Sequence, residues 1–210
     1  MSRKVIVFGA TGDSGRAILN QLESNNIDFA VFVRKGSEKK IESNPYRTFF
    51  GDVLSKEDIQ QVFYEEQFTD VIIALGSRDL KSLNIRSTGT KNIIDALKEN
   101  NQNCKLHVLS AHGVGDSREY LKGYEKLIAK WLIGKAMKDH EAQEEYVLHS
   151  GLQFHVVRPV GLNNKEGVGN VYSTQGGKMP KSSISRDDVA KYLVESMLAN
   201  ETGKHSICNN

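Results

Sequence analysis

Three glycines, Gly9, Gly12 and Gly15, stand inside the run VIVFGATGDSGRAIL, between an apolar stretch and the start of an amphipathic one. At that spacing the first glycine permits a tight reversal after a strand, the second lets the backbone approach a phosphate closely, and the third lets helix and strand pack together. The chemistry this permits is anion binding. The first N–H groups of a helix have no partner inside the helix, and its amino end carries partial positive charge. Lys4 to Phe8 reads as the strand, and Ala17, Ile18, Leu19 and Leu22 recur at helical spacing beyond the turn. A strand before and a helix after are what a dinucleotide-binding turn requires.

The ends of the later apolar runs carry the other candidates. After Phe29–Val33, where an acidic residue would accept hydrogen bonds from the ribose of NAD, the chain has Arg34. A guanidinium can bind a 2′-phosphate through paired, charged hydrogen bonds, with Lys35, Ser37 and Lys39 as helpers, so NADP(H) is the expected cofactor. After Arg47–Phe50, Asp52 and Val53 stand where an adenine edge and face could be met, although Asp52 could instead cap a turn. Val71–Leu75 ends in Ala74, Leu75 and Gly76, which let the backbone lie close to a cofactor; Ser77 and Arg78 follow, either along the diphosphate or as exposed loop residues. Leu106–Leu109 leads to Ser110, a group that can orient a substrate carbonyl or a nicotinamide amide, and to His112, whose reference pKa of ~6.5 suits proton donation near neutrality, although a loop histidine is more often simply exposed. Phe154–Val157 leads to Pro159, which stiffens the turn, and Val160, which can pack on a nicotinamide ring. His107 and His155 lie inside predicted strands and read as structural, His149 sits near a helix end, and none has metal-ligand spacing; no metal site is expected.

These residues need a scaffold that gathers strand ends. Six β-rich runs separated mostly by segments of helical periodicity predict a parallel sheet wrapped by helices. Right-handed crossovers starting from the glycine turn make it an α/β, doubly wound parallel sheet, a Rossmann fold, with its ligand crevice beyond the carboxyl ends of the strands. The 210 residues fit a single domain, 1–210, with 113–138 and 163–181 as substrate-side insertions. Gly113–Ser150 reads mainly as helix, with Leu127, Ile128, Trp131 and Leu132 on an apolar face; Tyr120, Tyr124 and Trp131 could stack on a planar substrate or serve as core. Asn163–Lys181, rich in turn formers, reads as a loop across the crevice. Lys and Arg number 28 against 26 for Asp and Glu, so no broad basic surface for nucleic acid is expected. Cys104 and Cys208 lack the spacing of a zinc site or small disulfide scaffold and read as reduced thiols. No apolar run approaches the ~20 residues of a membrane span and no signal peptide precedes the first strand, so a soluble cytoplasmic monomer or weak homo-oligomer is expected.

One absence narrows the chemistry. In common short-chain dehydrogenases a Tyr, with a Lys four residues on, protonates the alkoxide formed when hydride reaches a carbonyl. No tyrosine here has lysine at that offset: Tyr120 is followed by Tyr124, and Tyr124 by Ile128. Losing a placed general acid costs ~10²- to 10⁴-fold in rate, which disfavours simple ketones. A flavin, quinone or linear tetrapyrrole spreads the arriving charge over a conjugated system and suits a site built for orientation.

Together the segments FGATGDSG, VR after the second strand, GDVL, ALGSRD, TGTKNI, LSA, DHEAQEEYVLHSGL, RPVGL and SSISRDDVA resemble the atypical short-chain dehydrogenase/reductases, in particular the flavin reductase (NADPH) or biliverdin IXβ reductase group within the NmrA-like superfamily. The resemblance covers nearly the whole chain. It implies cofactor contacts from Thr11, Asp13, Ser14, Arg34, Asp52, Val53, Leu75, Gly76 and Ser110, with Pro159 and Val160 flanking the nicotinamide. It also implies that Ser110 is the substrate-side polar group. The sequence therefore reads as an NADPH-dependent reductase of a small planar substrate, with flavin first among candidates. An NADP(H)-binding redox sensor of NmrA-like type and a nucleotide-sugar epimerase are the alternatives.

Overall fold

A computed structural model of the chain describes residues 3–37, 39, 46–76, 84–121, 123 and 134–210. The first half alternates strand and helix: β1 (Lys4–Phe8), α1 (Asp13–Ser24), β2 (Asp28–Val33), β3 (Arg47–Phe50), α2 (Lys56–Glu65), β4 (Asp70–Ile73), α3 (Ile85–Glu99) and β5 (Lys105–Leu109). A 3₁₀ turn (Gly115–Tyr120), α4 (Gly134–Leu148), β6 (Phe154–Pro159), β7 (Gly161–Asn163), β8 (Val171–Thr174), β9 (Ser183–Ser185), α5 (Arg186–Leu198) and β10 (Gly203–Asn209) follow. The central sheet has eight strands in the order β3-β2-β1-β4-β5-β6-β10-β8, and every pairing in it is parallel except β10 with β8. β7 and β9 make a separate parallel pair.

The inner strands β1, β2 and β4 read as largely apolar runs because both faces are covered. Successive side chains of β1 divide between two cores, as the pleat requires. Ile6 and Phe8 pack with Ile59 and Phe63 of α2, Ile93 and Leu97 of α3 and Val147 of α4. Val5 and Val7 pack with Ile18 and Leu22 of α1 and Val189 and Leu193 of α5. Because β1 has β2 on one side and β4 on the other, the winding reverses between β1 and β4. That is the topological switch point, where the strand ends leave a crevice.

The six predicted strands are present, and two features correct the expectation for the rest. Asn163–Lys181 is not an uninterrupted loop, since it contains β8, the antiparallel edge strand. Gly113–Ser150 holds a 3₁₀ turn before its helix, and Tyr124, Leu127, Ile128, Trp131 and Leu132 lie outside the described residues. β8 and β10 escaped sequence reading for a physical reason. VYST is short and half exposed, and GKHSICN buries only its later residues, so backbone pairing rather than apolar patterning defines both.

One carboxylate fastens this added edge to the body. Asp188, in the first turn of α5, accepts hydrogen bonds from the backbone N–H groups of Val168 (3.0 Å) and Gly169 (2.8 Å), from Ser185 Oγ (2.8 Å) and from Asn209 Nδ2 (2.6 Å). Ser185 returns the interaction as N-cap by accepting from the Asp188 N–H. Burial alone would raise the Asp188 pKa, but these donors together hold it below the usual 3.8. A depressed folded-state pKa means stabilisation that is complete above the unfolded value and is lost as pH falls through the folded one. Asp188→Ala should therefore cost about 1–3 kcal/mol in urea unfolding at neutral pH. The gap to wild type should shrink once the pH drops below about 4.

Candidate active site

The glycine turn sits at the carboxyl end of β1, at the switch point. Gly9 has φ +90°, and a Cβ there would lie 2.3 Å from the carbonyl oxygen of Ala74 at the end of β4. A Cβ on Gly15 would lie 2.1 Å from the Gly9 carbonyl oxygen. Both are backbone collisions, so no other residue fits without moving β1, β4 and α1 apart. Gly12 differs. It is the N-cap of α1, with an ordinary φ of −78° and no side-chain cap, and a Cβ there would meet only the Gly9 oxygen, at 3.4 Å. The protein itself makes little demand for glycine at this position; a phosphate seated on the amide groups of Asp13, Ser14 and Gly15 would. Arg16 borders the turn, donating to the Thr11 carbonyl and pairing with Asp13 at 2.6 Å.

Parallel pairing brings the other strand ends to the same side. Arg34 follows the last residue of β2 and is exposed, as are Lys35 and Lys39, while Ser37 is buried. Asp52 Oδ1 accepts from the Leu54 N–H at 2.9 Å, so this carboxylate does hold a turn, and its own N–H donates to Asp58. Val53 and Leu75 are buried against Gly89 of α3, where a Cβ would lie 2.1 Å from Val53 Cγ2. Gly76 is exposed, and Ser77 and Arg78 lie outside the described residues. Beside Gly76 stands Arg86, to which sequence reading gave no role. It lies in the first turn of α3, where Asp139 of α4 accepts from the Arg86 and Ser87 N–H groups. Its Nη1 is 3.4 Å from Asp139 and its Nε is a buried donor without a partner among the described residues.

After β5 and β6 the structure adds a network that sequence reading missed. Ser110, 4% exposed, donates to Glu144 Oε1 of α4 at 2.5 Å. Arg158 of β6, 2% exposed, grips the same carboxylate through Nε (2.9 Å) and Nη2 (2.5 Å). Its Nη1 reaches Asp116 of the 3₁₀ turn at 2.7 Å, and Asp116 also binds Lys204 at 2.8 Å. Burial works against the charge on Arg158, but Glu144 and then Asp116 outweigh it and raise its pKa. Asp116 is likewise held below 3.8, because the hydrogen bonds and charges of Lys204 and Arg158 outweigh its burial. A long apolar-flanked Arg inside a strand, with Glu on the preceding helix, was the available signal. His112 Nδ1 lies 2.9 Å from Ser206 Oγ, and the ring is half exposed. Pro159 is buried, its carbonyl accepts from the His112 N–H, and Val160 is half-buried beside it. The fold thus gathers the glycine turn, Asp52, Val53, Leu75, Gly76, Ser110, His112, Pro159 and Val160 at the carboxyl ends of the strands.

A family profile described as NAD(P)H-binding matches residues 9–200. The chain belongs to this NAD(P)H-binding family. Over 96% of its length it is 28% identical to a chloroplastic protein of Arabidopsis thaliana, of which the alignment covers 74%. The fold also matches that of ChuY, an anaerobilin reductase from Escherichia coli O157:H7, with a TM-score of 0.82 at 19% identity, over 98% of this chain and 97% of that one. A short-chain dehydrogenase/reductase from Veillonella parvula in complex with NADP matches with a TM-score of 0.80 at 16% identity, over 99% and 94% of the two chains. Among the described residues no helix is long and apolar enough to cross a membrane.

The two kinds of glycine in this turn separate experimentally. Gly12→Ala should leave the urea midpoint within about 1 kcal/mol of wild type while raising the NADP(H) dissociation constant at least about tenfold. Gly9→Ala and Gly15→Ala should each lose several times that stability, measured by thermal unfolding without cofactor.

Proposed function

We propose that the protein is an NADPH-dependent reductase that transfers hydride to a planar conjugated acceptor, a flavin before a quinone or a tetrapyrrole-like molecule. The observation that carries this reading is the hydrogen-bond polarity of Ser110. A hydroxyl has one proton and two lone pairs, and here the proton goes to Glu144, whose two carboxyl oxygens Arg158 also holds. Toward the crevice Ser110 therefore offers lone pairs. It can hold an N–H edge, whether of the nicotinamide amide or of a flavin or pyrrole ring, but it is not a source of protons for an alkoxide. Together with the absent Tyr–Lys pair, this supports an acceptor that tolerates the arriving charge without a protein acid.

In this reading Gly9, Thr11, Gly12, Asp13, Ser14 and Gly15 hold the diphosphate, Val53, Leu75 and Gly76 line the nucleotide, and Pro159 and Val160 back the nicotinamide. Arg34, exposed at the end of β2 with no acidic residue in its place, favours NADPH over NADH. When bound, the dinucleotide supplies a hydride, which reduces the acceptor by two electrons; solvent, or His112 from the half-exposed rim, supplies the proton.

Purified protein should oxidise NADPH with at least one of FMN, FAD, riboflavin or a soluble quinone. Ser110→Ala should lower kcat about ten- to hundredfold, as expected for lost orientation. Tight NADP(H) binding with no turnover across the panel would overturn the enzyme and favour the redox sensor. Arg34→Glu should raise the NADPH dissociation constant about ten- to hundredfold and leave that of NADH nearly unchanged; equal effects on both would remove its role.

A further inference from the structure

Away from the crevice, toward the amino ends of the strands, three ligand-type side chains converge that no local motif announces. His155 is the second residue of β6, Glu201 lies in the turn between α5 and β10, and His205 lies on β10. Their ligand atoms all fall within 4.8 Å of one another. His155 Nε2 is 3.3 Å from His205 Nδ1, Glu201 Oε2 is 3.4 Å from His205 Nδ1, and Glu201 Oε2 is 4.0 Å from His155 Nε2. Bonds of about 2.0–2.2 Å to a tetrahedral ion require ligand atoms roughly 3.3–3.6 Å apart, so two of the three edges already match and the third needs a small turn of a partly exposed Glu. We propose that His155, His205 and Glu201 form a binding site for one divalent transition metal of the zinc type.

The surroundings fit a metal better than they fit a hydrogen-bonded cluster. His155 is fully buried and its Nδ1 has no partner among the described residues, so all its polar interaction is directed through Nε2. Around that atom are His205 Nδ1, the Glu201 carboxylate and the Tyr192 hydroxyl, which lies 2.9 Å from His205 Nδ1 and 3.3 Å from Glu201 Oε2. Two imidazole nitrogens and a carboxylate oxygen face one point here, and a cation satisfies all three together. The outer partner that ligating histidines use is also in place. The Gln175 amide lies 2.9 Å from His205 Nε2 and, turned to present its oxygen, accepts the proton that coordination through Nδ1 leaves there. Tyr192, bonded to Ser173 of β8 at 2.7 Å, stands beside the fourth position, which it or a water can fill. His205 and Glu201 are 12% and 40% exposed at the side chain, so an ion can enter from solvent. An ion here would tie β6 to β10 and, through Gln175 and Ser173, to the edge strand β8.

The test uses the full chain without an affinity tag, titrated with Zn²⁺ in a calorimeter and scanned for thermal unfolding with Zn²⁺ or Mg²⁺. One equivalent of Zn²⁺ should bind and raise Tm, and Mg²⁺ should do neither. His205→Ala and Glu201→Gln, both at partly exposed positions, should weaken Zn²⁺ binding at least about tenfold and leave NADP(H) affinity unchanged. His155→Ala removes a buried ring and is the less safe variant for folding. No Zn²⁺ binding by wild type, or undiminished binding by both variants, would overturn the site. Because the readouts are metal stoichiometry and Tm, failure here says nothing about the reductase, and failure of the reductase says nothing about this site.

Discussion

The structure depends on backbone meeting backbone at the end of β1. Gly9 lies against the Ala74 carbonyl at the end of β4, and Gly15 lies against the Gly9 carbonyl, at separations no side chain allows. That contact fixes the exit of β1, the entry of α1 and the spacing of β1 from β4 at once. The winding reverses there, so the first amides of α1 and the carboxyl ends of β4, β5 and β6 lie on one side of the sheet. Gly89 extends the same logic one layer out. Its missing side chain lets α3 close on Val53 and Leu75. Gly12 stands apart from these, because a Cβ there would meet only the Gly9 carbonyl oxygen, at 3.4 Å.

The second constraint is a buried cation. Arg158 is among the largest fully buried side chains, and an unpaired guanidinium at that depth would cost several kcal/mol. Glu144 and Asp116 surround it and Lys204 balances Asp116, so two acids and two bases meet at the side of the crevice. The network gathers α4, the 3₁₀ turn, β6 and β10, which arrive from separate parts of the sequence. It also explains why Ser110 is so well fixed, since its partner carboxylate is itself held at both oxygens.

What could be read from the sequence followed from how local each signal is. The glycine turn and the six predicted strands are written in contiguous residues, so period and spacing suffice, and the carboxyl ends of those strands supplied the candidate site residues. β8 and β10 are held by pairing with strands far away in the chain and have little apolar pattern of their own. Asp52 was legible as an acid at a strand end that could meet an adenine or cap a turn, and the bond from the Leu54 N–H shows that it holds a turn. Arg158, Glu144, Arg86 and the cluster of His155, Glu201 and His205 draw their character from neighbours that the fold supplies. His155 read as a structural histidine because its partners lie some fifty positions away.

The electrostatics beside Ser110 bear on which chemistry the crevice can serve. In an enzyme that reduces an isolated carbonyl, the group facing the developing alkoxide must be a proton donor or a positive charge. Here the helix α4 presents Glu144 toward the end of β5, and its charge is cancelled by Arg158 rather than left to act. The resulting surface is close to neutral and accepting in character, with the serine proton already used. Such a surface neither repels a bound dinucleotide strongly nor rewards the build-up of negative charge on one oxygen. In the proposed reductase, rate comes from alignment of donor and acceptor and from an acceptor that disperses charge within its own π-system. A rigid, ion-paired support beneath a single accepting hydroxyl is the arrangement that alignment requires, and it is difficult to assign to acid catalysis.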